Sequence, residues 1–164
     1  MSSPANKQPN SRMCFVCGMK NIAGLKTSFY EQEDGSVLAR FTGHERHQGY
    51  PGRMHGGVIS GIMDETIGRA IMVGLEPDQE VWGVTAELNI RFRKPVPLEV
   101  ELTAVGRITR DTRLLFEGAG KLLLPDGTVA AEAKGKYIKL PLEKVADFDA
   151  EREEWRVAPD EGDV

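Results

Sequence analysis

The chain is poor in cysteine. Only Cys14 and Cys17 occur in 164 residues, so no disulfide framework holds the fold, and a reducing compartment is expected. Long hydrophobic runs are missing as well. Nothing is long enough to span a bilayer, and the opening "MSSPANKQPNSR" lacks the apolar segment of a secretion signal, so a cytoplasmic location is the expectation. Excess positive charge is absent: the formal net charge is -4, which excludes a global basic field for nucleic acid. No internal repeat or low-complexity segment is found, which argues against a solenoid or a disordered linker.

What is present suits one soluble globular domain. Hydrophobic residues make up 40% and charged residues 28% of the chain, ordinary values for a domain of this length with a sizeable core. The charge is uneven. Glu143 to Val164 holds nine acids against three bases, which leaves residues 1–142 at about +2. A mildly basic body suits an anionic small molecule, and it equally suits ordinary surface variation.

The pattern predicts a flexible N-terminus over residues 1–13, a domain over 14–141 and a charged acidic tail over 142–164. "LKTSFYEQ" and "SVLARFTG" flank Glu33-Asp34-Gly35 and read as a β-hairpin. A loop punctuated by Gly49, Pro51, Gly52 and Gly56 follows. A helix is predicted from Gly57 to about Val73. Four strands come next, in "VWGVTAELNIRFRK", "LEVELTAVGRITR", "RLLFEGAGKLLL" and "TVAAEAKGKYIKL", with short connections that favour an antiparallel meander. A short helix is expected near Trp155. The economical fold is α+β: one long central helix wrapped by a curved antiparallel sheet of about six strands.

The helix carries an unexpected acid. Val58, Ile59, Ile62, Met63, Ile67, Ala70 and Ile71 wrap most of its circumference, as in a buried helix. Gly57, Gly61, Asp64 and Gly68 are four, three and four apart and share one face. Each helical glycine costs about 1 kcal/mol relative to alanine, so something approaches that face closely. Either it is another element, with Asp64 facing solvent or a subunit boundary, or it is a ligand and Asp64 is the functional group. Glu65 points roughly 100° away and reads as a surface or salt-bridged residue. At the helix start, "HGG" exposes N–H groups without internal partners, where the dipole is positive. Gly56 and Gly57 let a carbonyl oxygen approach there, and His55 sits at the mouth. Asp64 lies about two turns further on, roughly 10 Å by rise.

These residues carry a family resemblance. "PGRMHGGVISGIMDETIG" resembles the signature segment of hotdog-fold acyl-CoA thioesterases of the phenylacetic-acid-pathway (PaaI-like) type, and "VTAELNIRFRKPVPL" resembles the partner strand of that group. The nine-residue spacing from His55 to Asp64 is the family's spacing, and the similarity covers about residues 14–140. The resemblance implies that the Gly56 amide polarises the thioester carbonyl with support from His55. It implies that Asp64 is general base or nucleophile, and that Thr85, on the strand of the neighbouring subunit, places water. It also implies acyl-CoA as substrate, no cofactor, and an obligatory homodimer with the site at the subunit interface; pairing of dimers into a tetramer stays open. The chain departs from one branch at Gly49, where several relatives have asparagine; Gln48 next door is the candidate substitute.

Coenzyme A carries phosphates, so a basic border is expected. Arg91 and Arg93 share the face of Thr85 and Asn89 if the strand is regular; a solvated strand face is the alternative. Gly57, Gln48, Gly61, Gly68, Asn89, Arg91 and Arg93 are therefore the candidate substrate contacts. "CFVCG" with His44 and His47 offers four ligands of the zinc type, but a plain structural loop is the preferred reading and no metal is assigned. A non-catalytic acyl-CoA-binding protein and a hotdog hydratase are the competing functions, because function resides in the site rather than the fold.

Overall fold

The computed structural model describes residues 6–76 and 79–160. The chain order is β1 (Asn6–Lys7), β2 (Ser28–Glu31), β3 (Val37–Thr42), α1 (Gly56–Arg69), β4 (Gly83–Phe92), β5 (Glu101–Asp111), β6 (Leu115–Leu123), β7 (Val129–Lys139) and α2 (Leu142–Val145). Among the described residues the seven strands form one open antiparallel sheet in the order β1-β2-β3-β5-β6-β7-β4. The expected hairpin is β2–β3, with Tyr30 opposite Leu38. It turns at Gly35, whose φ of +82° favours glycine. Asp34 holds that turn by accepting from the Ser36 N–H at 3.0 Å.

α1 carries the chain from β3 to β4 at the far edge of the sheet. It ends in a 3-10 turn over Ala70–Met72, closer in than the predicted Val73. Ile59, Ile62, Met63 and Ile67 are buried and pack toward β5, β6 and β7. Close approach is provided by strand glycines rather than by the helix's own. A Cβ on Gly106 would stand 2.7 Å from the Thr66 carbonyl oxygen, and one on Gly118 would stand 2.5 Å from Ile67 Cγ2. The helix is therefore seated in a shallow trough of the sheet.

Two expectations about the ends need revision. The described part of the N-terminal segment, expected to be flexible, is tied to the domain. β1 pairs with β2, and the buried Asn10 side chain donates to the carbonyls of Cys17 (2.8 Å) and Thr27 (2.9 Å). Polar composition suggested a loose end, but these side chains satisfy backbone groups. The tail is helical over Leu142–Val145 rather than near Trp155, and residues 149–160 run back over the domain beside residues 7–20. Residues 1–5, 77, 78 and 161–164 lie outside the described part. Among the described residues no helix is long and apolar enough to cross a membrane.

Candidate active site

The opening stretch of α1 is built around His55. Its Nδ1 accepts from the Gly57 N–H at 2.9 Å and caps the helix. With Nδ1 accepting, the neutral ring carries its proton on Nε2. The cap uses the Gly57 amide, and the Gly56 N–H has no partner among the described residues. Gly56 is thus the free donor at the positive end of the helix. A Cβ on Gly49 would stand 3.2 Å from His55 Cα, so this residue packs on the capping histidine. Gln48 accepts from the Gly52 N–H at 2.8 Å and is committed to the loop.

Asp64 is half-buried on the sheet side of α1. The Thr85 hydroxyl of the same chain stands 2.9 and 3.0 Å from its two carboxylate oxygens. The expectation that a neighbouring subunit supplies the threonine is therefore corrected: β4 of this chain runs past its own helix. The Tyr137 hydroxyl donates to the Asp64 main-chain oxygen at 2.9 Å. Burial raises the Asp64 carboxyl above its ordinary 3.8, the Thr85 hydrogen bond opposes that rise, and adjacent Glu65 adds to it.

The glycine stripe divides. Gly68 lies beside Asp64 along a cavity of about 350 Å³, where a Cβ would stand 3.3 Å from the Tyr137 ring. Gly61 faces Phe15 and Val16 of the N-terminal segment. Glu65 pairs with the buried Arg69 one turn on, at 2.9 Å, in keeping with a salt-bridged role.

Asn89, Arg91 and Arg93 do not join this group. The register of β4 on β7 slips between Thr85, opposite Tyr137, and Glu87, opposite Lys136. One extra residue flips the face of everything after it. Thr85 and Tyr137 face α1, whereas Asn89 opposite Lys134 and Arg91 opposite Glu132 face away. Arg93 is held by Glu132 at 2.6 Å. The four-ligand zinc set is not assembled either. His47 spends Nδ1 on the His44 N–H and Nε2 on the Ala23 carbonyl, while His44 pairs with Glu99. The two thiols approach Glu65 instead. The Cys17 thiol is lowered to about 7, chiefly by the hydrogen bond from Cys14, with the Arg69 cation contributing.

Sequence reasoning missed Tyr137 and the far wall of the cavity, formed by Trp82, Phe148 and Trp155. The cluster of aromatics in an otherwise charged tail was the available signal.

Known proteins resemble this chain in sequence and in fold. The family model of the thioesterase superfamily matches residues 51–131. Acyl-coenzyme A thioesterase THEM4 of Mus musculus is 33% identical over 118 residues, 71% of this chain and 48% of that protein. The chain spans about half the length of the curated relatives it matches. A solved thioesterase superfamily protein is 30% identical at a TM-score of 0.68, covering 77% of this chain and 63% of the other. A Bacillus halodurans protein crystallised with CoA is 26% identical at a TM-score of 0.60, covering 69% and 73%. Matched segment and fold agree: the chain belongs to the thioesterase superfamily and is built on the hotdog fold.

Proposed function

We propose that this chain hydrolyses acyl-CoA thioesters, with Asp64 acting on the carbonyl carbon directly or through a water that it deprotonates. The observation that carries the reading is the Asp64–Thr85 pair at the cavity wall. A carboxylate of raised pKa is a better base near neutrality than an ordinary aspartate, and Thr85 fixes its oxygens. The carbonyl oxygen needs a donor as negative charge develops on it, and the Gly56 N–H supplies one.

One copy cannot bring both to one thioester. Eight residues separate Gly56 from Asp64, about 12 Å of helical rise. The reading therefore pairs Asp64 and Thr85 of one protomer with Gly56 and His55 of another. β4 supports such a pairing. It is the sheet edge, yet it exposes Phe92 at 55% and Val84 at 39%, and an apolar edge of that kind calls for a partner. Sedimentation should give a dimer or a higher even assembly, and Phe92→Glu should weaken it and lower hydrolysis together. A fully active monomer would sink the shared site.

The pH profile supplies a second check. The working form is the ionised carboxylate, so activity falls as pH drops through the Asp64 pKa, and the acid limb should lie above that of an ordinary aspartate. Thr85→Val removes a hydrogen bond that favours ionisation. Hydrogen bonds to charged groups are worth about 1.5–3 kcal/mol, so the acid limb should move up by about one pH unit or more. An unmoved limb with reduced kcat would assign Thr85 a role other than tuning Asp64. Release of free thiol from a panel of acyl-CoAs tests the activity itself. Saturable acyl-CoA binding without thiol release would overturn it in favour of a binding protein.

A further inference from the structure

The cavity continues past Asp64 along α1 to Met72, about 12 Å further by helical rise. Gly68 keeps its floor low. Trp82, Phe148 and Trp155 make up its aromatic side. These three rings form one cluster: Trp82 lies 5.7 Å from Phe148 and 5.7 Å from Trp155, and Phe148 meets Trp155 edge-on at 6.2 Å. Such tilted and edge-to-face contacts are the favoured aromatic geometry. Trp155 also covers the Arg69 guanidinium at 5.3 Å.

The tail that carries Phe148 and Trp155 is fastened on several sides. The Arg12 N–H donates to the Glu153 carbonyl at 2.8 Å, and Asn10 and Arg156 bridge main chain to main chain. Lys7 pairs with Asp160 at 2.6 Å and Lys20 with Glu154. Residues 149–160 thus form a strap across the far end, not a free tail. Both the strap and the segment that fastens it lie outside the stretch matched by the thioesterase family, residues 51–131.

The charges in the cavity restrict its occupant. Arg69 is neutralised by Glu65 and donates to the Pro9 carbonyl at 2.8 Å. The Asp64 carboxylate remains, and it repels a second carboxylate. Besides Ser11 and the Cys14 and Cys17 thiols beside Glu65, the rest of the lining is mainly aromatic and aliphatic, Met72, Val81, Trp82, Tyr137, Phe148 and Trp155, as in apolar ligand sites of this volume.

Resting on the thioesterase reading, we infer that this cavity is the acyl site, that it takes an uncharged medium-chain fatty acyl group, and that the Trp82–Phe148–Trp155 cluster held by the strap sets the chain length. A longer chain meets the rings. A dicarboxylic acyl group places its charge beside Asp64 in an apolar pocket, where an unpaired charge is costly.

Trp82 and Trp155 are the chain's two tryptophans, and both line the site, so intrinsic fluorescence reports occupancy without catalysis. Octanamide, an uncharged probe that keeps carbonyl and chain, should change the emission saturably, and succinamate should not. In thiol release, octanoyl-CoA should exceed palmitoyl-CoA in kcat/KM by about tenfold or more, since single methylenes discriminate by about 10–200-fold in a hydrophobic pocket. Phe148→Ala combined with Trp155→Ala should raise the palmitoyl-to-octanoyl ratio about tenfold, and a cooperative denaturant transition with an unchanged circular dichroism spectrum would show that the variant is folded. Phe148→Ala alone, which keeps both tryptophans, provides the same test if the double variant does not fold. An unchanged ratio in a folded variant overturns the ruler. Preference for palmitoyl-CoA, phenylacetyl-CoA or succinyl-CoA in the unmodified protein overturns the substrate class. A saturable octanamide response without any thiol release supports the acyl site and defeats the hydrolase reading; thiol release with silent fluorescence does the reverse.

Discussion

Asp64→Asn should abolish most acyl-CoA hydrolysis while the protein stays folded and becomes no less stable. A positioned base contributes about 10²–10⁴-fold, so kcat should fall by at least that much, and further if Asp64 is the nucleophile. The two halves of the expectation have one cause. Burial raises the carboxyl pKa in the folded chain, so the native state binds that proton more tightly than the unfolded chain does. The stability this contributes is full below the ordinary value of 3.8 and is lost as pH rises through the raised native pKa. At neutral pH the ionised group is a net cost. Asparagine removes the charge, keeps the shape and still accepts from Thr85. Denaturant unfolding at neutral pH should therefore give an equal or higher midpoint for the variant, and lowering the pH should narrow the difference. A variant that keeps its turnover would remove Asp64 from the chemistry. A variant that loses both activity and stability would make it a structural acid.

The sequence is readable where a residue's role is local. The hairpin at Asp34-Gly35 and the helix through Asp64 depend on neighbours a few positions away, and each stands where its pattern placed it. The expected four-strand meander is corrected: β5, β6 and β7 pair in succession, but β4 lies beside β7 rather than β5, because the sequence shows short connections and not which edge a strand joins. Face assignments along β4 failed because they rest on strict alternation, and one bulge after Thr85 reverses it. No residue in "VTAELNIRF" marks that bulge. The parity of Arg91 and Arg93 was therefore beyond a single sequence, whereas Thr85, which precedes the bulge, was not affected by it. The strap was hidden for another reason. Its charged residues suggested a solvated tail, but Asp160 and Glu154 are spent on Lys7 and Lys20, some 130–150 positions away. Long-range pairs of this kind leave no periodic trace.

The glycines give the sharpest structural test, because the sequence and the structure assign the close approach to different ones. The helix stripe suggested that Gly61 admits a neighbour, yet a Cβ there would lie 3.8 Å from Val16 and 4.0 Å from Phe15, which is ordinary contact. Gly61→Ala should therefore gain the helix propensity that glycine forfeits, about 1 kcal/mol. Gly106 on β5 is the opposite case. Its Cβ would meet the Thr66 carbonyl oxygen at 2.7 Å and Ile67 Cα at 3.0 Å. Both belong to the backbone of α1, so no rotamer change relieves the overlap, and the helix itself must lift from the sheet. Overpacking of this sort costs about 1–3 kcal/mol, and Gly106→Ala should lower the denaturant midpoint accordingly. The displacement also has a chemical reading. Thr66 is two residues from Asp64, while Thr85 belongs to the sheet, so lifting α1 lengthens the 2.9 Å contact between hydroxyl and carboxylate. Gly106→Ala should thus depress kcat as well as stability and move the acid limb upward, as Thr85→Val does. If Gly61→Ala destabilises as much as Gly106→Ala, the trough in the sheet is not what seats the helix, and the geometry argued for Asp64 loses its support.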